Sequence, residues 1–348
     1  MQDLPPQQPQ ENRPGPPPWP KTIVIQQRSF LWLAAVLLFL LLISGLVNLG
    51  LFITVAQQSS DPSAPVETYV SGDATAEEKL ALLEVEGTIM PPFTERWIKA
   101  VQTIAEDDAV KGVVLRIDSP GGLVADSHQI YHALSELRRE TEIPIYVSMA
   151  RIAASGGYYI AMGAGPEGRI FAEPTTWTGS IGVIMPRYNA AELAAKVGVE
   201  ADPLVTGKFK DTLSPLRDMT EEERKLWQEI LNDSFVQFKD VILEGRTNLD
   251  QAKLDELATG QVFTARQAKD NGLLDEIGFQ EDVVAALAEK LGLEDPMVVR
   301  YEHPLSLFEM LTGATAAKAT PAPWEQLLSP QVPHALYYCG SPGLGFLK

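Results

Sequence analysis

Residues 29–60 carry no charged side chain. Inside that stretch, FLWLAAVLLFLLLISGLVNLGLFITVA (30–56) is longer than the ~20 apolar residues needed to cross a bilayer. A cleavable signal peptide has an apolar core of only ~7–15 residues and starts near the N-terminus. Here the apolar run follows a 28-residue leader dense in Pro and Gln. An uncleaved transmembrane helix over 29–56 is therefore expected. The span divides the chain into a leader at 1–28, the helix, a polar linker at 57–78, a folded domain at 79–302 and a tail at 303–348. Arg13, Lys21 and Arg28 precede the span, against Asp3 and Glu11. Asp61, Glu67, Asp73, Glu77 and Glu78 follow it, with only Lys79 basic. Basic residues stay on the cytoplasmic side, so the leader is expected inside and the folded domain outside.

The charge balance narrows the partners. The net charge is −18 and the pI near 4.7, which argues against binding nucleic-acid phosphates. The one cysteine, Cys339, excludes an intrachain disulfide and sits in a Pro/Gly-rich tail with no partner in view. The proline-dense leader reads as disordered or polyproline II.

After the linker the pattern alternates. LALLEVEGTIM (80–90) reads as a strand, and ERWIKAVQTIAEDD (95–108) places Trp97, Ile98, Val101, Ile104 and Ala105 on one helical face. GVVLRID (112–118) is a continuous apolar run, as in a strand buried on both faces. A helix over 123–140 and a buried strand over 143–149 follow, then strands near 169–172 and 180–185 and helices near 219–246 and 279–291. Such alternation predicts an α/β fold, a parallel sheet with crossover helices.

Two turns carry candidate chemistry. DSPGG (118–122) ends a strand and opens a helix, where glycine N–H groups and the helix N-terminus can hold an oxyanion. AASGGYY (153–159) repeats the layout and puts Ser155 where a helix begins. Ser155 there is either a nucleophile or an N-cap. A nucleophilic serine needs a base. His128 and His132, four apart on a helix, lack the glutamate of a zinc-protease helix and read as solvated; His303 and His334 lie in the tail. That leaves lysine, and VTGKFKDTLSP (205–215) offers Lys208 and Lys210.

SPGG (119–122), AASGGYYIA (153–161), TWTGSIGVIM (176–185) and GKFKDTLSPLRDMTEEE (207–223), in that order, resemble the signal peptide peptidase A family over roughly 80–300. These are membrane-anchored serine proteases with a Ser–Lys pair, on a fold similar to Clp protease and crotonase enzymes. The resemblance is to the short form, with one catalytic repeat. It implies Ser155 as nucleophile, Lys210 as base, Ser180 as the residue orienting the lysine amine, and Gly122 and Gly156 N–H groups as oxyanion donors. It implies no cofactor and no metal. Leftover signal peptides and other membrane-associated peptides are the implied substrates, small or apolar before the cut. Implied too is a homo-oligomer, with a pair completed across a subunit boundary. Lys208 neighbours Lys210 and shares its face by strand alternation, so parity does not separate them.

The chemistry explains the bare surroundings of Ser155. A lysine accepts a proton only when neutral, and lowering a pKa of ~10.4 to near 7 takes ~4 kcal/mol of disfavoured charge, which desolvation supplies. Two other readings stand beside this one. One is a non-catalytic membrane scaffold on the same fold. The other is a crotonase-like acyl-CoA enzyme, which a site outside the cytoplasm disfavours.

Overall fold

A computed structural model describes residues 15, 27–58, 65–302 and 335–339. Most of the leader and of the tail, with His303 and His334, lies outside the described residues. The chain divides into two units, 1–61 and 62–348. The first contains helix α1 (Gln27–Gln58). Its stretch Trp32–Gly50 averages a hydropathy of 2.5. It is the one helix among the described residues that is long and apolar enough to cross a membrane.

The second unit opens with a strand inside the stretch read as linker. β1 (Val66–Ser71) is followed by β2 (Lys79–Glu86), α2 (Phe93–Glu106), β3 (Val110–Ser119), β4 (Gly121–Leu123), α3 (Val124–Thr141) and β5 (Ile145–Ala154). Next come α4 (Gly156–Ala161), β6 (Ile170–Ala172), β7 (Trp177–Gly179), α5 (Ala191–Lys196) and the long α6 (Glu221–Gly245). The remaining elements are α7 (Gln251–Leu257), β8 (Val262–Thr264), α8 (Ala265–Asp270), β9 (Glu276–Ile277), α9 (Gln280–Leu291), β10 (Met297–Glu302) and β11 (Leu336–Tyr338). The main sheet runs β1-β10-β2-β3-β5-β6-β9, with β7 beside the end of β5 and β8 beside β7. Its pairs are parallel except β1–β10 and β7–β8. The α/β expectation holds, with crossover helices between parallel strands.

Strand periodicity sorts the core. Ala81, Leu83 and Val85 of β2 and Val113, Leu115 and Ile117 of β3 face one side, packing with residues of α2, α3, α4 and α6. Leu80, Leu82 and Val114 face the other, against Val283 and Leu287 of α9. Toward the C-terminal end of that second face the residues turn charged: Glu84 lies 3.9 Å from Arg116 and 3.1 Å from Arg300. The inner strands are thus apolar on both faces only as far as helices cover them.

One strand falls elsewhere than expected. Residues 180–185 are not a strand; β7 ends at Gly179, and Ile184 makes only an isolated bridge to Leu336. Positive φ at Gly179 (79°) and Ser180 (50°) stops the extended run.

Leu115 is fully buried at the centre of the sheet. Leu115→Ala is expected to lower unfolding stability by about 2–5 kcal/mol, the cost of lost transfer energy and a cavity. Denaturant unfolding of the parent and the variant measures it.

Candidate active site

The end of β5 is bent by an insertion. β3 and β5 pair in register up to Ile117↔Met149, and the next pair is Ser119↔Ala153. Four residues of β5 therefore span two of β3, a bulge that re-aims the strand. Asp118 braces its outer side: Arg151 Nε donates to Asp118 Oδ2 at 2.6 Å and the Ile152 N–H reaches Oδ1 at 3.4 Å. The redirected strand ends at Ala154, and Ser155 turns the chain into α4 at φ 55°, ψ −115°.

That conformation stores strain of ~1–3 kcal/mol for a non-glycine residue. Backbone bonds hold it: the Ser155 N–H donates to the Gly179 carbonyl at 2.7 Å, and the Ser155 carbonyl accepts from Tyr159 N–H at 2.8 Å. Ser155 occupies the N-cap position of α4, yet its side chain caps nothing. Its Oγ is buried and has no hydrogen-bond partner. The cap reading therefore fails, and the hydroxyl is left unpartnered.

Closely packed glycines flank this turn. Gly121 stands at φ 99°, and a Cβ there would come within 2.7 Å of the Gly156 nitrogen. A Cβ on Gly156 would lie 3.1 Å from the Gly122 nitrogen and 2.5 Å from Ser127 Oγ. The backbones of the two glycine turns thus touch, and any side chain between them would clash. Ser180, at φ 50°, follows the Gly179 carbonyl that holds Ser155, and its own N–H donates to Gln261 O at 2.7 Å.

The tail enters the same place. β11 pairs antiparallel with β4, Tyr337 opposite Gly122. On its other side Leu336 exchanges hydrogen bonds of 2.9 and 3.0 Å with Ile184. Val124 N–H donates to Ala335 O and Cys339 N–H to Pro120 O, so ladder alternation makes Gly122 and Tyr337 the hydrogen-bonded pair between them. The Tyr337 carbonyl oxygen lies where a Gly121 Cβ would come within 2.0 Å of it. The Tyr337 ring is buried, stacked on Tyr159 at 5.0 Å and against Phe238 at 4.5 Å, and its hydroxyl donates to Ser234 O at 2.7 Å. Burial pushes the Tyr337 and Tyr159 hydroxyls well above the usual phenol range.

His128 departs from the solvated reading. It is half-buried, its Nδ1 lies 2.8 Å from Tyr159 Oη, and burial lowers its pKa. It supports the aromatic wall beside Tyr337. No group of His, Cys, Asp and Glu that could hold a metal ion occurs among the described residues.

The two lysines lie in a run of turns, not a strand, so strand alternation does not apply to them. Lys208 is exposed and ion-paired with Glu222. Lys210 is exposed, and its side chain has no hydrogen-bond or ion-pair partner among the described residues. The structure of one chain therefore does not hydrogen-bond Ser155 to either lysine. Their loop is nonetheless well tied. Arg217 Nε donates to Asp211 Oδ2 at 2.8 Å and its terminal nitrogen to Glu223 Oε1 at 2.7 Å. Trp227 Nε1 donates to Thr212 Oγ1 at 2.9 Å.

The family model described as Peptidase family S49 matches residues 137–294. A putative signal peptide peptidase SppA of Enterococcus faecium is 35% identical over 71% of this chain and 73% of its own length. A putative protease of Synechocystis sp. is 39% identical over 70% of this chain and 87% of its own. The chloroplastic serine protease SPPA of Arabidopsis thaliana is 32% identical over 67% of this chain and 35% of its own. The chain belongs to peptidase family S49. It is a serine peptidase of the SppA type, and the free Ser155 hydroxyl in its glycine-lined turn is the feature that suits this chemistry.

Sequence reasoning missed the strand β11 and the aromatic seat of Tyr337. ALYYC (335–339) is a short apolar run between Pro/Gly-rich stretches, and that contrast was the available signal.

Two outcomes follow from the geometry. Gly121→Ala forces a side chain against the Gly156 nitrogen, and peptidase activity is expected to fall by roughly 100-fold through displacement of the site; a fluorogenic peptide assay reads this. The second concerns the lysine loop. The Arg217 guanidinium, followed by the Thr220 N–H, holds the Glu223 carboxyl down to about 2. A depressed carboxyl contributes stability above its unfolded pKa of about 4.3 and loses it as pH falls through the folded value. The loop is therefore expected to resist limited proteolysis at pH 4 and to open only as pH approaches 2. Arg217→Gln moves the opening to higher pH.

Proposed function

We propose that this protein is a membrane-anchored serine endopeptidase that uses Ser155 as nucleophile and Lys210 as base. It cleaves leftover signal peptides and other membrane-associated peptides outside the cytoplasm. One observation carries the reading: the buried, unpartnered Ser155 hydroxyl lies at the glycine turn through which the chain's own tail passes as an extended strand. The tail supports a substrate path in which residues at the places of Ala335 and Tyr337 bond β4 while the one between them bonds Ile184. The carbonyl at the place of Tyr337 is then the one attacked.

In that path Ser155 Oγ attacks the carbonyl carbon as the neutral lysine amine takes its proton. The resulting oxyanion is held by the Gly122 and Gly156 N–H groups. The C–N bond breaks, the lysine returns its proton to the leaving amine, and an ester on Ser155 remains. Water, deprotonated by the same amine, hydrolyses it. Ser180 would orient the amine. The Tyr159–Phe238 wall that seats Tyr337 suits an aromatic side chain before the cut, within the small or apolar class that the family resemblance implies but at its large end.

The exposed, partnerless Lys210 and the baseless Ser155 support a pair formed between two copies of the chain. The apolar helix α1 and the basic leader support a single membrane crossing with the catalytic domain outside.

The test uses full-length chain in detergent and a fluorogenic peptide with Tyr before the cleaved bond. Ser155→Ala and Lys210→Ala are each expected to be inactive, while Lys208→Ala keeps most activity. Coassembled Ser155→Ala and Lys210→Ala chains are expected to recover activity, since one intact pair can form between them. An inactive Lys208 variant beside an active Lys210 variant would move the base to Lys208. Activity in both would end the lysine mechanism. For topology, a reporter fused after residue 300 is expected to work only outside the cytoplasm.

A further inference from the structure

The bulge turns β5 away from β3, and β7 becomes its neighbour at Ile152, Ala153 and Ala154. Two threonines of β7 and its approach add side-chain hydrogen bonds to the carbonyls of this bend. Thr176 Oγ1 lies 2.5 Å from the Ala150 carbonyl and 3.1 Å from that of Met149. Thr178 Oγ1 donates to the Ala153 carbonyl at 2.6 Å. Both threonines are fully buried. Ala153 is two residues before Ser155, and Gly179, next to Thr178, accepts the Ser155 N–H at 2.7 Å. β7 therefore grips the turn on both sides of its bend, by a side chain before it and a main-chain carbonyl at it.

We propose that Thr178, with Thr176 behind it, is a positioning residue for the nucleophile. The Thr178 hydroxyl fixes the Ala153 carbonyl and so keeps Ser155 at positive φ, with Oγ unpartnered and pointing at the site. It touches neither substrate nor reacting atoms. Its effect is on the place of the Ser155 hydroxyl and not on the seat of the substrate strand, which is built by β4, Ile184, Tyr159 and Phe238. Loss of the hydroxyl alone should therefore slow acylation and leave substrate binding in place. The proposal rests on Ser155 as nucleophile.

The experiment compares Thr178→Val, which keeps the shape and removes the donor, with Thr178→Ser, which keeps the donor and removes the methyl. Full-length chain is treated with a fluorophosphonate probe, the labelled residue is located by mass spectrometry, and kcat and KM are measured on the peptide above. The parent is expected to label at Ser155. Thr178→Val is expected to label and to turn over roughly 10- to 100-fold more slowly, the scale of a misplaced reacting group, with KM within about twofold because the seat is intact. Thr178→Ser is expected within about threefold of the parent, because its hydroxyl still reaches the carbonyl. Should the Val chain fail to fold, Thr178→Ala against Thr178→Ser makes the same comparison without the methyl, and the Ser chain is expected to be the faster. Equal labelling rates with and without the hydroxyl would overturn the proposal, as would a loss confined to KM. A parent that does not label at Ser155 would instead overturn the assignment of the nucleophile.

Discussion

The Ser155 amide donates 2.7 Å to the carbonyl of Gly179, and the working end of the fold is arranged around that bond. It joins the end of β5 to the end of β7 where both strands leave the sheet. Ser155 stands at φ 55°, Gly179 at 79° and Ser180 at 50°, so both chains turn sharply at the same point. Each turn alone is strained. Tied together, they hold a hydroxyl out of every local hydrogen bond. The parallel sheet supplies the rest: β3 and β5 lie side by side, so the glycine turn after one meets the serine turn after the other. That is the C-terminal edge, where open α/β sheets place their ligands.

The tail strand shows what that edge offers a peptide. β4 is three residues long and leaves its outer hydrogen bonds to whatever lies beside it. β11 takes them, with Ile184 closing the other side. Main-chain bonding of this kind is indifferent to sequence, so in the proposed substrate path selectivity falls to the aromatic pocket that seats Tyr337. A seat built this way suits an enzyme meeting many different peptides.

Periodicity alone makes the central strands and long helices legible. GVVLRID reads as a strand covered on both faces, found as β3 with Arg116 at its uncovered end, and the 219–246 pattern as a long helix, found as α6. What stayed hidden was built by non-local pairing. β1 reads as polar linker because its strand character comes from lying against β10. β11 is hidden likewise, since nothing local in ALYYC says that Gly122 of β4, far earlier in the chain, is waiting opposite Tyr337. His128 reads as a surface residue on helix periodicity alone, and only the fold brings Tyr159 to it. At the site the serine and the glycines were visible in their motifs. The bulge was not, because two extra residues in β5 leave the sequence looking like an ordinary apolar strand followed by a turn.

Stored free energy gives the site its direction. An unmet buried hydroxyl costs ~1–3 kcal/mol, and a non-glycine residue at this φ a similar amount. A protein with a total stability of ~5–15 kcal/mol seldom concentrates that much at one side chain without return. Its neighbours in the chain are small and apolar, and Ser155 itself is almost fully buried. That burial is what a lysine base needs, because only a desolvated amine is neutral near pH 7. In the proposed mechanism Ser155 and its base therefore ask the same thing of their surroundings. One chain provides the buried turn and keeps Lys208 and Lys210 exposed, so the proposed pair needs a second copy to form.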